Sequence, residues 1–133
     1  MQITIPLETT TGTAYMIVDR APYIAFTNDI FRTLILFGPI KGIPGQAVMT
    51  RGVEDLGRRF ANAVGEAIID FDDFTEDNDP YGEHDFGVVE VEGQRVFWKI
   101  DYYADDTCTS GSEDPADCTR TYRVMTVMLA EEY

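Results

Sequence analysis

Two runs on either side of Glu92-Gly93 alternate apolar and polar positions with period two, the mark of a half-buried strand. A two-residue turn at that dipeptide opposes Val91 to Gln94, and the register follows from that pair. Val89 then meets Val96, Gly87 meets Trp98 and Asp85 meets Ile100. One face reads Val89, Val91, Val96, Trp98, Ile100 and Tyr102, with Trp98 filling the space above a strand glycine. The other pairs Glu90 with Arg95, Val88 with Phe97, Phe86 with Lys99 and His84 with Asp101. A last strand over residues 122–129 is apolar on both faces, as a central strand is, and extends the hairpin into a three-stranded meander.

Helical spacing governs two other stretches. Over residues 23–37 the apolar side chains Phe26, Ile30, Leu34 and Phe37 recur, with Ala21-Pro22 before them and Gly38-Pro39 as a stop. Over residues 53–70, Leu56, Phe60, Val64, Ala67 and Ile68 fall three or four apart, and Glu54, Arg58, Arg59, Asn62 and Glu66 take the other faces. A glycine-rich link and a short strand at 46–50 lie between the helices. Residues 2–6 and 13–19 alternate weakly around a turn at 9–12, an N-terminal hairpin. The expected fold is α+β: an antiparallel sheet, made of the C-terminal meander and N-terminal strands, with two helices packed on one face.

The stretch that breaks these patterns is FDDFTEDNDPYGEHDFG at residues 71–87, which holds the densest run of carboxylates and the only histidine. Acidic blocks repel themselves into disorder. Here Phe71, Phe74, Tyr81 and Phe86 are interleaved with the charges, so the reading is an ordered loop pinned by aromatics with its carboxylates in water. Asp70, Asp72 and Asp73 crowd the end of the second helix, where the dipole is already negative, a local conflict of the kind that marks a functional requirement.

Charge sharpens the picture. The chain has 133 residues, 24 acidic against 10 basic, for a net charge of −14, with 44% hydrophobic and 12% aromatic residues. The length fits one domain with a real core. Direct binding to nucleic acid or to an anionic membrane needs the opposite sign. Self-repulsion favours a monomer, and the attraction is to a basic partner. No apolar run is long enough to span a bilayer and no leader pattern opens the chain, so a cytoplasmic protein is expected.

Motif chemistry is sparse. Glu83-His84-Asp85, with Asp101, could form an acid–base or metal centre. However, no second histidine or nucleophile at elbow spacing accompanies it, and a cross-strand pair accounts for His84. Asp70-x-Asp72 and Asp77-x-Asp79 resemble calcium-loop fragments, yet the first has Thr75 at the glycine position and the second has Tyr81 and Val88 at ligand positions. The converging oxygens leave adventitious cation binding open. Cys108 and Cys118 flank an acidic Gly/Ser/Pro loop. They read as reduced thiols, with a disulfide open to them in an oxidising medium, and they fall short of a four-ligand zinc site. No catalytic residue, metal or cofactor is assigned.

The 71–87 run resembles the signature of a bacterial domain-of-unknown-function family common in alphaproteobacteria and on their plasmids and prophages. FWKIDYY at 97–103 is similar to its next block, and DPAD at 114–117 and VMTVMLAEEY at 124–133 to its close. TNDIFR at 27–32 and VMTRGV at 48–53 fit its first half more loosely. The resemblance spans residues 24–133, leaving residues 1–20 as a hairpin extension, and the hairpin and the cysteines depart from the pattern. The family lends no activity. Its mobile-element setting, with the charge and size, implies a non-enzymatic inhibitor of a host nucleic-acid defence complex, of the anti-CRISPR or anti-restriction DNA-mimic kind, working in the bacterial cytoplasm. The partner is then a basic nucleic-acid channel, met by Asp72, Asp73, Glu76, Asp77, Asp79 and Glu83, with Asp105, Asp106, Glu113 and Asp114 as a second acidic group. The alternatives are an enzyme centred on Glu83-His84-Asp85 or a housekeeping interaction module.

Overall fold

The structure, a computed structural model, describes residues 1–133, with every side chain but that of Leu7. Strands β1 (Gln2–Thr9) and β2 (Gly12–Asp19) form the expected hairpin, in register from Gln2 opposite Asp19 to Thr9 opposite Gly12. It stands as a two-stranded sheet of its own and does not join the main sheet. Nearly every side chain of β2 faces solvent, Tyr15, Met16 and Ile17 among them, so the ribbon buries little of its apolar surface there.

Helix α1 (Arg20–Leu34) follows directly and tightens into a 3-10 turn at Ile35–Phe37. It begins three residues before the expected 23–37 span, and it is turned differently about its axis. Ile24, Thr27, Asn28, Phe31, Arg32 and Ile35 are buried, whereas Phe26 is 62% and Phe37 79% exposed. Ile24, Phe31 and Ile35 do keep helical spacing, but the polar Asn28 and Arg32 sit in their stripe and hide it from a count of apolar positions.

The single helix expected over 53–70 is two, α2 (Arg51–Asp55) and α3 (Arg58–Ile69). Gly57 breaks them apart with a φ of 97°, a conformation that residues with a Cβ avoid. Leu56, at that corner, is largely exposed, while Phe60, Val64 and Ile68 are buried as the spacing requires.

The main sheet runs β3 (Gly45–Met49), β6 (Tyr122–Leu129), β5 (Gln94–Tyr103), β4 (Phe86–Val91). The α+β class holds, with β6 central. The sheet is mixed, because β3 pairs with β6 in parallel, Gly45 opposite Arg123 through Met49 opposite Val127. The meander is antiparallel, and β4 and β5 take the expected register from Val91–Gln94 to Phe86–Lys99. Glu92 and Gly93 both have positive φ, 51° and 78°, as the two-residue turn demands. Helices α1 and α3 cover the face carrying Val89, Val91, Val96, Trp98 and Ile100, and Phe31, Phe60, Val64 and Ile68 complete the core. Among the described residues no helix is long and apolar enough to cross a membrane.

Candidate functional site

The acidic segment leaves α3 at Asp70 and reaches β4 at Phe86 as an ordered loop. Its backbone closes on itself, with Asp79 N donating to Thr75 O (2.8 Å) and Gly82 N to Asp79 O (3.0 Å). Asn78 clips the middle, accepting from Thr75 N (2.8 Å) and donating to Asp73 O (2.8 Å). Aromatics hold the loop to the sheet: Phe71 and Phe74 meet edge to face at 4.9 Å, Phe71 reaches Trp98 at 5.5 Å, and Phe74 stacks on His84 at 3.7 Å. Tyr81, expected among these anchors, instead stands 80% exposed.

The six carboxylates singled out in this loop divide. Asp72, Asp73, Glu76 and Asp77 face solvent, joined by Asp70. Asp79 is buried and accepts from the His84 backbone N–H (3.2 Å), with its other oxygen 3.7 Å from His84 Nε2. Glu83 is half-buried and accepts from the Tyr102 hydroxyl (2.9 Å). In the second acidic group Asp105, Asp106 and Glu113 are exposed, whereas Asp114 pairs with Arg20 at 3.2 Å. Hydrogen bonds from the Thr107 hydroxyl and N–H hold the Asp105 carboxyl below the usual aspartate range. Cys108 and Cys118 are both free thiols. Among the described residues no three His, Cys, Asp or Glu side chains gather as a metal site would require.

His84 does not pair with Asp101. It sits at φ 55°, just before β4 begins, and its Nδ1 lies 2.9 Å from Asp29 on α1, while Asp101 takes Lys99 at 3.2 Å. Asp29 also accepts from Arg32 Nη1 (2.8 Å). Arg32 in turn donates to Ile68 O (3.2 Å) and Phe71 O (3.1 Å), with its guanidinium over the Phe74 and Trp98 rings at 5.3 and 5.2 Å. A buried cation thus caps the end of α3, which relieves the crowding of Asp70, Asp72 and Asp73 there.

One turn earlier on α1, Asn28 ties together four parts of the chain. Its Nδ2 donates to Tyr102 Oη (2.7 Å) and Glu83 O (2.9 Å), and its Oδ1 accepts from Arg123 Nε (2.8 Å). Arg123 also donates to Pro115 O (2.8 Å) and lies over the Tyr102 ring at 5.2 Å. None of Asn28, Asp29, Arg32 or Arg123 was visible as a site residue. The one signal was TNDIFR at 27–32, which holds the first three.

Burial, the Glu83 carboxylate and its hydrogen bond to Glu83 outweigh the opposing bond from Asn28, driving the Tyr102 phenol far above its usual range; it stays a donor. Burial lowers Arg123 from its usual value, opposed by the Cys118 thiol and Tyr102. Asp85 is raised by burial and then by Glu83, Asp79 and Asp101. A carboxyl raised on folding holds its proton more tightly in the folded state, so the stability it gives is full below the unfolded value and lost as pH rises through the folded one. Asp85→Asn is therefore expected to raise the melting temperature at pH 7, with the gain shrinking as pH falls toward the ordinary aspartate value. Melts across that range check this, and a pH-independent difference would count against it.

A family model described as "Protein of unknown function (DUF3768)" matches residues 49–132. No curated protein and no solved structure matches the chain.

Proposed function

Since the chain belongs to the DUF3768 family, proteins of unknown function that lend it no chemistry, we propose from its own surface that it is a non-enzymatic interaction protein recognising a basic partner. The observation that carries this reading is the row of exposed carboxylates, Asp70, Asp72, Asp73, Glu76 and Asp77, on a loop whose backbone is already fixed. A preordered surface loses little freedom on docking, and its charge steers a basic partner toward it. With a net charge of −14, the partner that suits it best is a groove built for nucleic acid, such as the channel of a CRISPR effector or restriction complex. Duplex DNA offers such a groove one charge per roughly 1.7 Å of axis, and closely set carboxylates can stand in for it. An enzyme centred on Glu83-His84-Asp85 has less support. The His84 ring is occupied by Asp29, Asp79 and the Phe74 face, which is a positioning arrangement.

The test is a fourfold charge reversal, with Asp72, Asp73, Glu76 and Asp77 changed to Lys. Because these side chains are exposed, the melting temperature should stay within a few degrees of the parent. Asp79 is left alone, since a lysine there would bury a charge against His84. Binding to purified CRISPR effector and restriction complexes should weaken at least about tenfold at low salt, and the parent's binding should fall with rising salt and compete with target DNA. Binding that ignores salt would overturn the proposal. Binding that ignores the reversal would move the surface to Asp105, Asp106 and Glu113.

A further inference from the structure

Beside the acidic loop lies a cavity of about 290 Å³, walled on one side by Pro22, Ala25, Phe26 and Asp29 of α1 and on the other by Gly82 and His84. The α1 residues are spaced three and four apart, so they form a single stripe down the helix. Phe26 is 62% exposed there, a large aromatic outside the core on a helix that has a core face elsewhere. Resting on the reading above, we propose that this cavity is the anchor point of the interface and takes an arginine side chain of the basic partner.

Three observations support arginine. The Asp29 side chain is 40% exposed, and its Oδ2 has only His84 Nδ1 at 3.1 Å as a partner, so it keeps acceptor capacity toward the cavity. Asp29 and Asp79 flank the His84 ring with the Arg32 guanidinium as the one arginine paired to them, so an incoming cation meets an excess of negative charge. The Phe26 ring supplies the flat surface on which a guanidinium stacks, an interaction that a lysine ammonium makes less well while lacking the fork that grips a carboxylate. Arginines seated in such pockets are common anchors of protein interfaces. A second copy of the chain is a poor occupant, since it would bring a further net charge of −14.

The experiment uses two blocked peptides, hexalysine and the same peptide with one central arginine, titrated into the full chain and into Phe26→Ala at two salt concentrations. The arginine peptide is expected to bind the parent about threefold tighter than hexalysine, and Phe26→Ala should erase that difference while weakening hexalysine binding less than that of the arginine peptide. Backbone amide shifts at Phe26 and Gly82 should move further with the arginine peptide. Phe26 is exposed, so the variant should melt as the parent does. Equal affinity of both peptides for the parent, with binding that still falls with salt, would overturn the anchor and leave the acidic surface standing. An arginine preference that survives Phe26→Ala would also overturn it. If neither peptide binds, the anchor and the acidic surface fall together.

Discussion

Replacing Arg123 by alanine is expected to cost about 2–6 kcal/mol of folding stability, since it strands two buried acceptors at about 1–3 kcal/mol each. The side chain is wholly buried. Its removal leaves Asn28 Oδ1 and Pro115 O without the donors they now have at 2.8 Å, and opens a space against the Tyr102 ring. Lysine should rescue little, because a single ammonium cannot reach both acceptors in the geometry of the guanidinium fork. Arg120 gives the control: its side chain is 59% exposed and pairs only with Asp117, so Arg120→Ala should change stability by less than about 1 kcal/mol. Denaturant melts of the three variants decide the matter. A loss below about 1 kcal/mol for Arg123→Ala would mean that the network is held by something other than this side chain.

The second large effect is expected from the smallest change, Gly87→Ala. A Cβ at this position would stand 2.5 Å from Trp98 Nε1, 2.6 Å from Cε2 and 2.7 Å from Cζ2. Trp98 is fully buried between the Phe71 and Phe74 rings and the Arg32 guanidinium, so the indole has nowhere to go. Overpacking of this kind costs typically 1–3 kcal/mol, and a rigid ring puts Gly87 near the top of that range, at about 3 kcal/mol. The disturbance should reach the acidic loop, since Phe71 and Phe74 rest on the same indole. Trp98 is the single tryptophan, so its fluorescence reports the site directly, and the emission should shift red in the variant. At Gly111 the nearest atom to an added Cβ is 3.8 Å away, and alanine there should be close to neutral. If both glycine variants melt alike, the packing account of Gly87 is wrong.

The elements that sequence patterning captured are those in which local chemistry and burial agree. The turn at Glu92-Gly93 fixes the β4–β5 register through its own backbone conformation, and the alternation of Val89, Val91, Val96 and Trp98 points the same way. Patterning failed where burial is polar. On α1 the apolar set Phe26, Ile30, Leu34 and Phe37 looked like the core face, but Asn28 and Arg32 are the side chains that go inside, because the loop, the end of α3 and Arg123 supply their partners. Those partners lie 36 to 95 residues away, and no local window contains them. The direction of β3 was hidden for a related reason, as nothing in residues 45–49 records whether β6 arrives parallel or antiparallel. Within the acidic loop, composition marked all six carboxylates alike. Only the positive φ of His84 and its turn toward Asp29 separate Asp79 and Glu83, which build the loop, from the four that face outward.

The N-terminal hairpin has a consequence for how the molecule opens. It is a separate two-stranded sheet, fastened at its base by Arg20 N to Met1 O at 2.7 Å and by the Arg20–Asp114 pair. Its ladder shares no strand with the sheet formed by β3 to β6. The side chains of β2 are already wet but for Val18, so the amide protons of that strand should reach solvent through a local opening, whereas those of β5 and β6 should wait for global unfolding. Stability in this chain should then have two levels rather than one. A melting curve read at Trp98 reports the upper level and is blind to the lower.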